Sequence, residues 1–193
     1  MIFAALAVAA TLAVAPGEAA PDFKLKDLDG KTVSLADFKG KTVVLEWFNP
    51  ECPFVRASHT RGSLVGLAKK YTDKGIVWLA INSAANGKQG FGPEKSKKGA
   101  KEFGMEHPVL LDETGATGHA YGATNTPHMF VINKDGKLVY AGAIDNSPDG
   151  EKGSPQGGTL VNYVEQALDA VAAGKPVPTS TSKAYGCGVK YGS

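Results

Sequence analysis

Two apolar runs, TVVLEWF (42–48) and GIVWLAIN (75–82), constrain the fold of this chain more than any other feature. Each is a nearly unbroken stretch of β-branched, aromatic and aliphatic residues, the pattern of a strand buried on both faces. The segment between them has helical spacing, with Leu64, Leu67, Ala68 and Tyr71 on one face. Pro53 suits a first helical position and Gly75 a stop, so a helix is predicted from Pro53 to Lys74, weakened in its middle by Gly62 and Gly66. Strand, helix, strand in this order calls for a parallel pair joined by a crossover, and hence an α/β fold.

The flanking sequence extends that unit. Upstream, Phe23 to Leu25 and Thr32 to Ser34 bracket a turn at Asp29-Gly30, which predicts a hairpin. Downstream, a helix is predicted near Lys95 to Phe103, then short strands at 108–111, 128–132 and 137–144. The last two flank Asn133-Lys134-Asp135-Gly136, a good turn between antiparallel strands. A final helix is predicted from Thr159 to Ala173, with Leu160, Val164, Ala167, Leu168 and Val171 along one face and Gly174 and Pro176 ending it.

With 193 residues the chain suits one full-sized core, and a net charge of +2 with no basic stripe gives no reason to expect a nucleic-acid partner. The lysines of 92–101 read as a solvated loop and helix face. The first twenty residues are apolar, rich in alanine and free of lysine and arginine, and are read as an export signal cleaved after Ala19 or Ala20. Pro16, Gly17 and Glu18 cut that run short of the roughly 20 apolar residues a membrane span needs. The expected organisation is therefore a signal at 1–20, a domain at 21–174 and a polar tail at 175–193. The mature protein is expected in the periplasm or secreted, without stable membrane insertion. Its compartment would be oxidising, where cysteines serve either as structural links or in redox chemistry.

There are two cysteines, Cys52 and Cys187. Cys52 lies in NPECPFVRAS (49–58), at the junction of the first buried strand and the helix beginning at Pro53. Free N–H groups and the dipole at a helix start favour the thiolate, the form that attacks disulfides. Arg56, four residues on, is expected on the same face, where its charge would add to this effect, and Glu51 would oppose it. Glu46 is an unusual carboxylate within an apolar strand and needs either a role or a partner. His59 and His128 read as packed or surface histidines.

The order of elements, Cys52 at the first strand–helix junction and Thr126-Pro127 before the later hairpin together resemble the thioredoxin-like fold. PDFKLKDLDGKTVSLADFKGKTVVLEWF and YGATNTPHMFVINKDGKLVYAG are similar to the redoxin branch, which includes the AhpC/TSA peroxiredoxins and thioredoxin-like reductases. The resemblance implies a central mixed β-sheet flanked by helices, with the N-terminal hairpin as an extension. In the thioredoxin register Cys52 takes the place of the first, nucleophilic cysteine, Val55 replaces the second, and Glu46 matches the buried acidic residue that moves a proton. In the peroxiredoxin register, counted from Pro50, the hydroxyl and peroxidatic positions hold Phe54 and Ala57.

A thiol–disulfide oxidoreductase is therefore expected, acting on a protein or small-molecule disulfide or thiol. Cys52, Cys187, Glu46 and Arg56 are its candidate catalytic residues, and Pro53, Thr126 and Pro127 the candidate substrate contacts. The alternatives are a thiol peroxidase, a non-catalytic binding protein and a copper carrier, the last disfavoured by Arg56 where a second ligand cysteine would stand. No cofactor and no metal are expected, and the oligomeric state stays open. Cys187, flanked by glycines in the tail, is either a resolving cysteine for Cys52, half of a static disulfide, or a free thiol.

Overall fold

The computed structural model describes residues 13–192. The chain runs β1 (Lys24–Asp27), β2 (Thr32–Ser34), a 3-10 turn (Leu35–Phe38), β3 (Val43–Trp47), α1 (Pro53–Thr60), α2 (Leu67–Thr72), β4 (Val77–Asn82) and α3 (Pro93–Glu102). It continues through β5 (Val109–Leu111), α4 (Ala116–Tyr121), β6 (Asn125–Thr126), β7 (His128–Ile132), β8 (Leu138–Gly142), α5 (Tyr163–Ala172) and β9 (Cys187–Gly188). Seven strands form one mixed sheet in the order β2-β1-β5-β4-β3-β7-β8, and β6 pairs with β9 outside it.

The two apolar runs become the parallel pair β3–β4, in register from Val43↔Val77 to Trp47↔Ile81. β7 lies antiparallel on the other side of β3, so β3 is flanked by strands on both edges and every one of its residues is buried. Alternate residues then pack in opposite directions. Leu45 and Trp47 join Leu79, Ile81, Phe130 and Tyr121 on one side. On the other side Val44 meets Trp78, Leu67, Tyr71, Val164 and Leu168, where α2 and α5 cover the sheet. Phe48 continues this side as the chain leaves β3, packing with Cys52, Val55 and Phe103 of the α1–α3 region.

Several local signals act as the sequence implies. The β1–β2 hairpin turns where Asp27 accepts the Asp29 and Lys31 N–H groups, at 3.0 and 2.9 Å. Asn133 organises the β7–β8 turn in the same way, accepting from Asp135 and Lys137.

The predicted helix at 53–74 is two helices, broken after Thr60. Gly62 is pressed against the chain, with Gly150 O only 2.1 Å from where a Cβ would stand, and Gly66 has φ +72. The close approach and the left-handed turn both require glycine, and neither fits a continuous helix. The final helix begins at Tyr163 rather than Thr159, because the Asn162 side chain caps it by accepting from Glu165 N. Leu160 is consequently outside the helix and 36% exposed. The short α4 had no counterpart in the sequence reading. Its first turn is held by Asp112, which accepts from Thr117 N and Gly118 N.

Residues 1–12 of the expected signal lie outside the described residues. The rest of it is docked: Gly17 N donates to Leu138 O, Leu138 N to Glu18 O and Ala20 N to Gly136 O, so this segment lines β8 and the turn before it.

The tail is also built into the fold rather than hanging from it. Ala141 N donates to Ser180 O and Ser182 N to Ala141 O, while Ser182 Oγ accepts from Ala143 N at 2.9 Å and lies 2.6 Å from Tyr140 Oη. Past this contact the chain turns back toward the start of α1 and forms β9.

One contact ties the fold directly to the cysteine loop. Gly99 of α3 lies against Pro50, and a Cβ there would approach Pro50 Cβ to 2.5 Å. Gly99→Ala would ordinarily favour a helix by about 1 kcal/mol, but overpacking costs about 1–3 kcal/mol. We expect a lower Tm than wild type, and a raised Tm would show that the α3–Pro50 contact is slack.

Candidate active site

Cys52 is the N-cap residue of α1, held by the turn Asn49-Pro50-Glu51. Cys52 N donates to Asn49 O at 3.1 Å, and Asn49 Oδ1 accepts from Glu51 N at 2.9 Å. The Cys52 side chain makes no capping bond, so its sulfur stands at the helix start, where peptide dipoles favour negative charge. Cys52 is 1% exposed.

Thr126, at the end of β6, faces this sulfur through its carbonyl, and Pro127 follows it. The Thr126-Pro127 bond is cis, and Thr126 O lies 3.1 Å from Cys52 Sγ. Opposite Thr126, in antiparallel register, stands Cys187. Its sulfur is 2.8 Å from Cys52 Sγ, although the two residues are 135 positions apart in sequence. Three further bonds hold the tail here: Asn125 Nδ2 to Gly186 O at 3.0 Å, Val189 N to Thr124 O at 3.1 Å and Tyr191 Oη to Ala123 O at 2.7 Å. Tyr191 also stacks on His119, with ring centroids 4.1 Å apart.

Burial pushes the Cys187 thiol up to about 11, reinforced by the hydrogen bond and charge of Cys52 and opposed by Lys190 and the Phe54 N–H. At neutral pH Cys187 therefore keeps its proton.

The charged residues near Cys52 turn elsewhere. Arg56 pairs with Glu102 and lies over the Phe103 ring, exposed, so its charge is not directed at Cys52 as the helical spacing implied. Glu51 accepts from Gly90 N at 2.6 Å and from Lys95 at 3.0 Å, which compensates its charge. Pro53 stays exposed at the first turn of α1.

Glu46 is 0% exposed and fully partnered. Oε1 lies 2.6 Å from His59 Nε2, Oε2 accepts from Trp78 Nε1 at 3.0 Å, and His107 Nε2 stands 3.9 Å away. Burial alone would raise its carboxyl. The charge and hydrogen bond of His59, together with His107 and Trp78, outweigh that and hold it below the usual carboxylate range. His59 shares α1 with Cys52, so one helix carries both the thiol and the partner of the buried acid.

From spacing alone His59 reads as a packed or surface histidine, and His107 carries no signal. The available signal was the carboxylate itself: an acid on a strand buried on both faces needs a cation or donor from whichever helix covers it. These three groups line a cavity of about 520 Å³ with Trp78, Phe103 and Met105. His128 is separate from them. Its Nδ1 accepts from Thr124 N at 3.3 Å, and burial holds the imidazole down at about 4.

Removing one member of a buried pair typically costs about 3 kcal/mol or more, because the other charge is left unpaired. His59→Ala is therefore expected to lose about that much in urea unfolding at pH 7. Glu46→Gln, which keeps an acceptor for Trp78, should lose clearly less. A His59→Ala protein as stable as wild type would mean that the pairing contributes little.

Comparison with known proteins agrees with this geometry. The redoxin family model matches residues 15–154. The thiol-disulfide oxidoreductase ResA of Bacillus thuringiensis is 32% identical over 130 residues, a match that spans 64% of this chain and 66% of that protein. ResA of Geobacillus thermodenitrificans is 35% identical, over 65% of this chain and 68% of that protein. Among solved structures, an uncharacterized conserved protein from Geobacillus kaustophilus superposes with TM-score 0.77 at 36% identity, covering 92% of each chain. A hypothetical protein from Sinorhizobium meliloti gives TM-score 0.78 at 30% identity, covering 94% of this chain and 97% of its own. A mixed sheet with a cysteine at the start of the helix after its central strand, next to a cis Thr-Pro bond, thus carries a matching sequence signature over most of its length, and the chain belongs to the redoxin family of thioredoxin-like proteins.

Proposed function

We propose that the protein is a thiol–disulfide oxidoreductase whose redox centre is Cys52 together with Cys187. The observation that carries this reading is the 2.8 Å approach of two sulfurs 135 positions apart in sequence, with Cys187 held beside Cys52 by the β6–β9 pairing. Cys52 acts as the nucleophile from the helix start. Cys187 is the resolving cysteine that Val55 cannot be, and it closes an intramolecular disulfide with Cys52. Glu46, hydrogen-bonded to His59 on the helix that starts at Cys52, takes the place of the buried acid of the thioredoxin register. Thr126 and Pro127 form the backbone wall facing Cys52, and Arg56 supports α1 through Glu102 rather than acting on the sulfur.

The partners are thiols or disulfides, as the ResA relatives' name suggests for those proteins. A peroxidase is not favoured, since Phe54 and Ala57 occupy the positions where the peroxiredoxin register places its hydroxyl and its peroxidatic cysteine. Export to an oxidising compartment belongs to the same proposal. N-terminal sequencing of the protein recovered from cells tests it, and a chain still starting at Met1 in the cytoplasm would count against it.

The redox reading is tested by non-reducing peptide mapping of the oxidised protein and by insulin reduction with dithiothreitol. We expect a linked Cys52–Cys187 peptide, and a loss of catalysed rate to background in Cys52→Ser. No linked peptide, or an undiminished Cys52→Ser rate, would overturn it.

A further inference from the structure

We infer that external thiols exchange with this protein at Cys187 and not at Cys52, the tail strand being a resident occupant of the edge where an extended substrate would pair. This rests on the redox reading above and adds where the partner's sulfur attacks.

Three observations carry it. First, β9 takes the free edge of β6 beside Cys52, in antiparallel register, with Cys187 opposite Thr126. Adding a strand to an exposed edge is a general way to bind an extended peptide. Here the chain's own residues 186–189 make those backbone bonds, and a peptide could not pair there without removing them.

Second, the fit is built in. Gly186 has φ +103, and a Cβ on it would stand 2.3 Å from Thr126 O and 3.3 Å from Phe54 Cβ. Only glycine permits so close an approach of the tail to the site. Tail bonds on both sides, from Ser182 to Tyr140 and from Tyr191 to Ala123, hold the strand down.

Third, the two sulfurs differ in access. Cys52 is 1% exposed beneath the tail, whereas Cys187 is half-buried and followed by an exposed Gly188. An incoming thiolate therefore meets Cys187 first.

The leaving group points the same way. Attack on Cys52 would have to expel Cys187, whose thiol burial makes more basic, and exchange slows as the leaving thiol becomes more basic. Attack on Cys187 instead expels Cys52 at the helix start.

An external dithiol is the reductant. One partner thiolate bonds to Cys187 Sγ, the Cys52–Cys187 bond breaks, and its electron pair leaves on Cys52 Sγ. The partner's second thiolate then attacks its own sulfur in the mixed disulfide. Cys187 leaves as a thiolate and takes up a proton, so the partner ends oxidised and both protein cysteines reduced. Run backward, the same steps oxidise a dithiol.

Glutathione, a monothiol that cannot complete the second step within its own molecule, serves as the probe. Oxidised full-length protein is mixed with glutathione, quenched with acid over a time series and mapped by mass spectrometry. We expect at least about tenfold more glutathione on Cys187 than on Cys52 at the earliest times. In Gly186→Ala, where the tail is displaced, the share on Cys52 should rise. Preferential adducts on Cys52 in wild type, or disulfide loss with no adduct on Cys187, would overturn the inference. A sample without glutathione separates the two claims. If it lacks the Cys52–Cys187 linked peptide, the redox reading itself fails; if it has the link and the adduct sits on Cys52, only this inference fails. A Gly186→Ala protein that does not fold leaves the wild-type result decisive.

Discussion

The structure depends on β3 being enclosed on every side. With β4 on one edge, β7 on the other and apolar layers above and below, its position is overdetermined. Whatever follows it in the chain inherits that rigidity. Five residues separate Trp47 from Pro53, and within them the Asn49 turn sets the Cys52 sulfur at the start of α1. A fixed strand end followed by a helix start can hold a thiol steadily with very little sequence, and positioning of this kind is what thiol exchange needs.

The same enclosure explains Glu46. An ionised side chain on such a strand is costly unless its hydrogen-bonding capacity is met. Here His59 comes from the helix covering that face, Trp78 from the neighbouring strand and His107 from the segment leading into β5. The acid is thus part of the packing of three elements as well as a candidate base.

Much of the fold was legible because its determinants are local or periodic. The continuous apolar runs gave β3 and β4, and Asn133-Lys134-Asp135-Gly136 gave the β7–β8 hairpin. Cys52 was legible by position, since Pro53 marks the helix start beside it. What stayed hidden depends on contacts between distant segments. Gly62 breaks the long helix because Gly150 passes against it, nearly ninety residues later in the chain. α4 is too short for periodicity to register, and its cap comes from Asp112 outside it. β9 has only two residues and no strand pattern, and its register comes from β6 and from the tail contacts around it. Arg56 shared a helix with Cys52, as the spacing implied, but Glu102 of α3 offered a stronger partner.

The tail's origin so far from Cys52 has a thermodynamic consequence. A bond between sulfurs 135 residues apart would close most of the chain into one loop and remove much of the unfolded state's freedom. In the chain-entropy picture, a loop of this size contributes about 5 kcal/mol. Folding and oxidation would then be linked, each favouring the other. Reduction by a partner would do more than free two thiols: it would return that conformational entropy to the unfolded chain and leave the protein markedly easier to unfold.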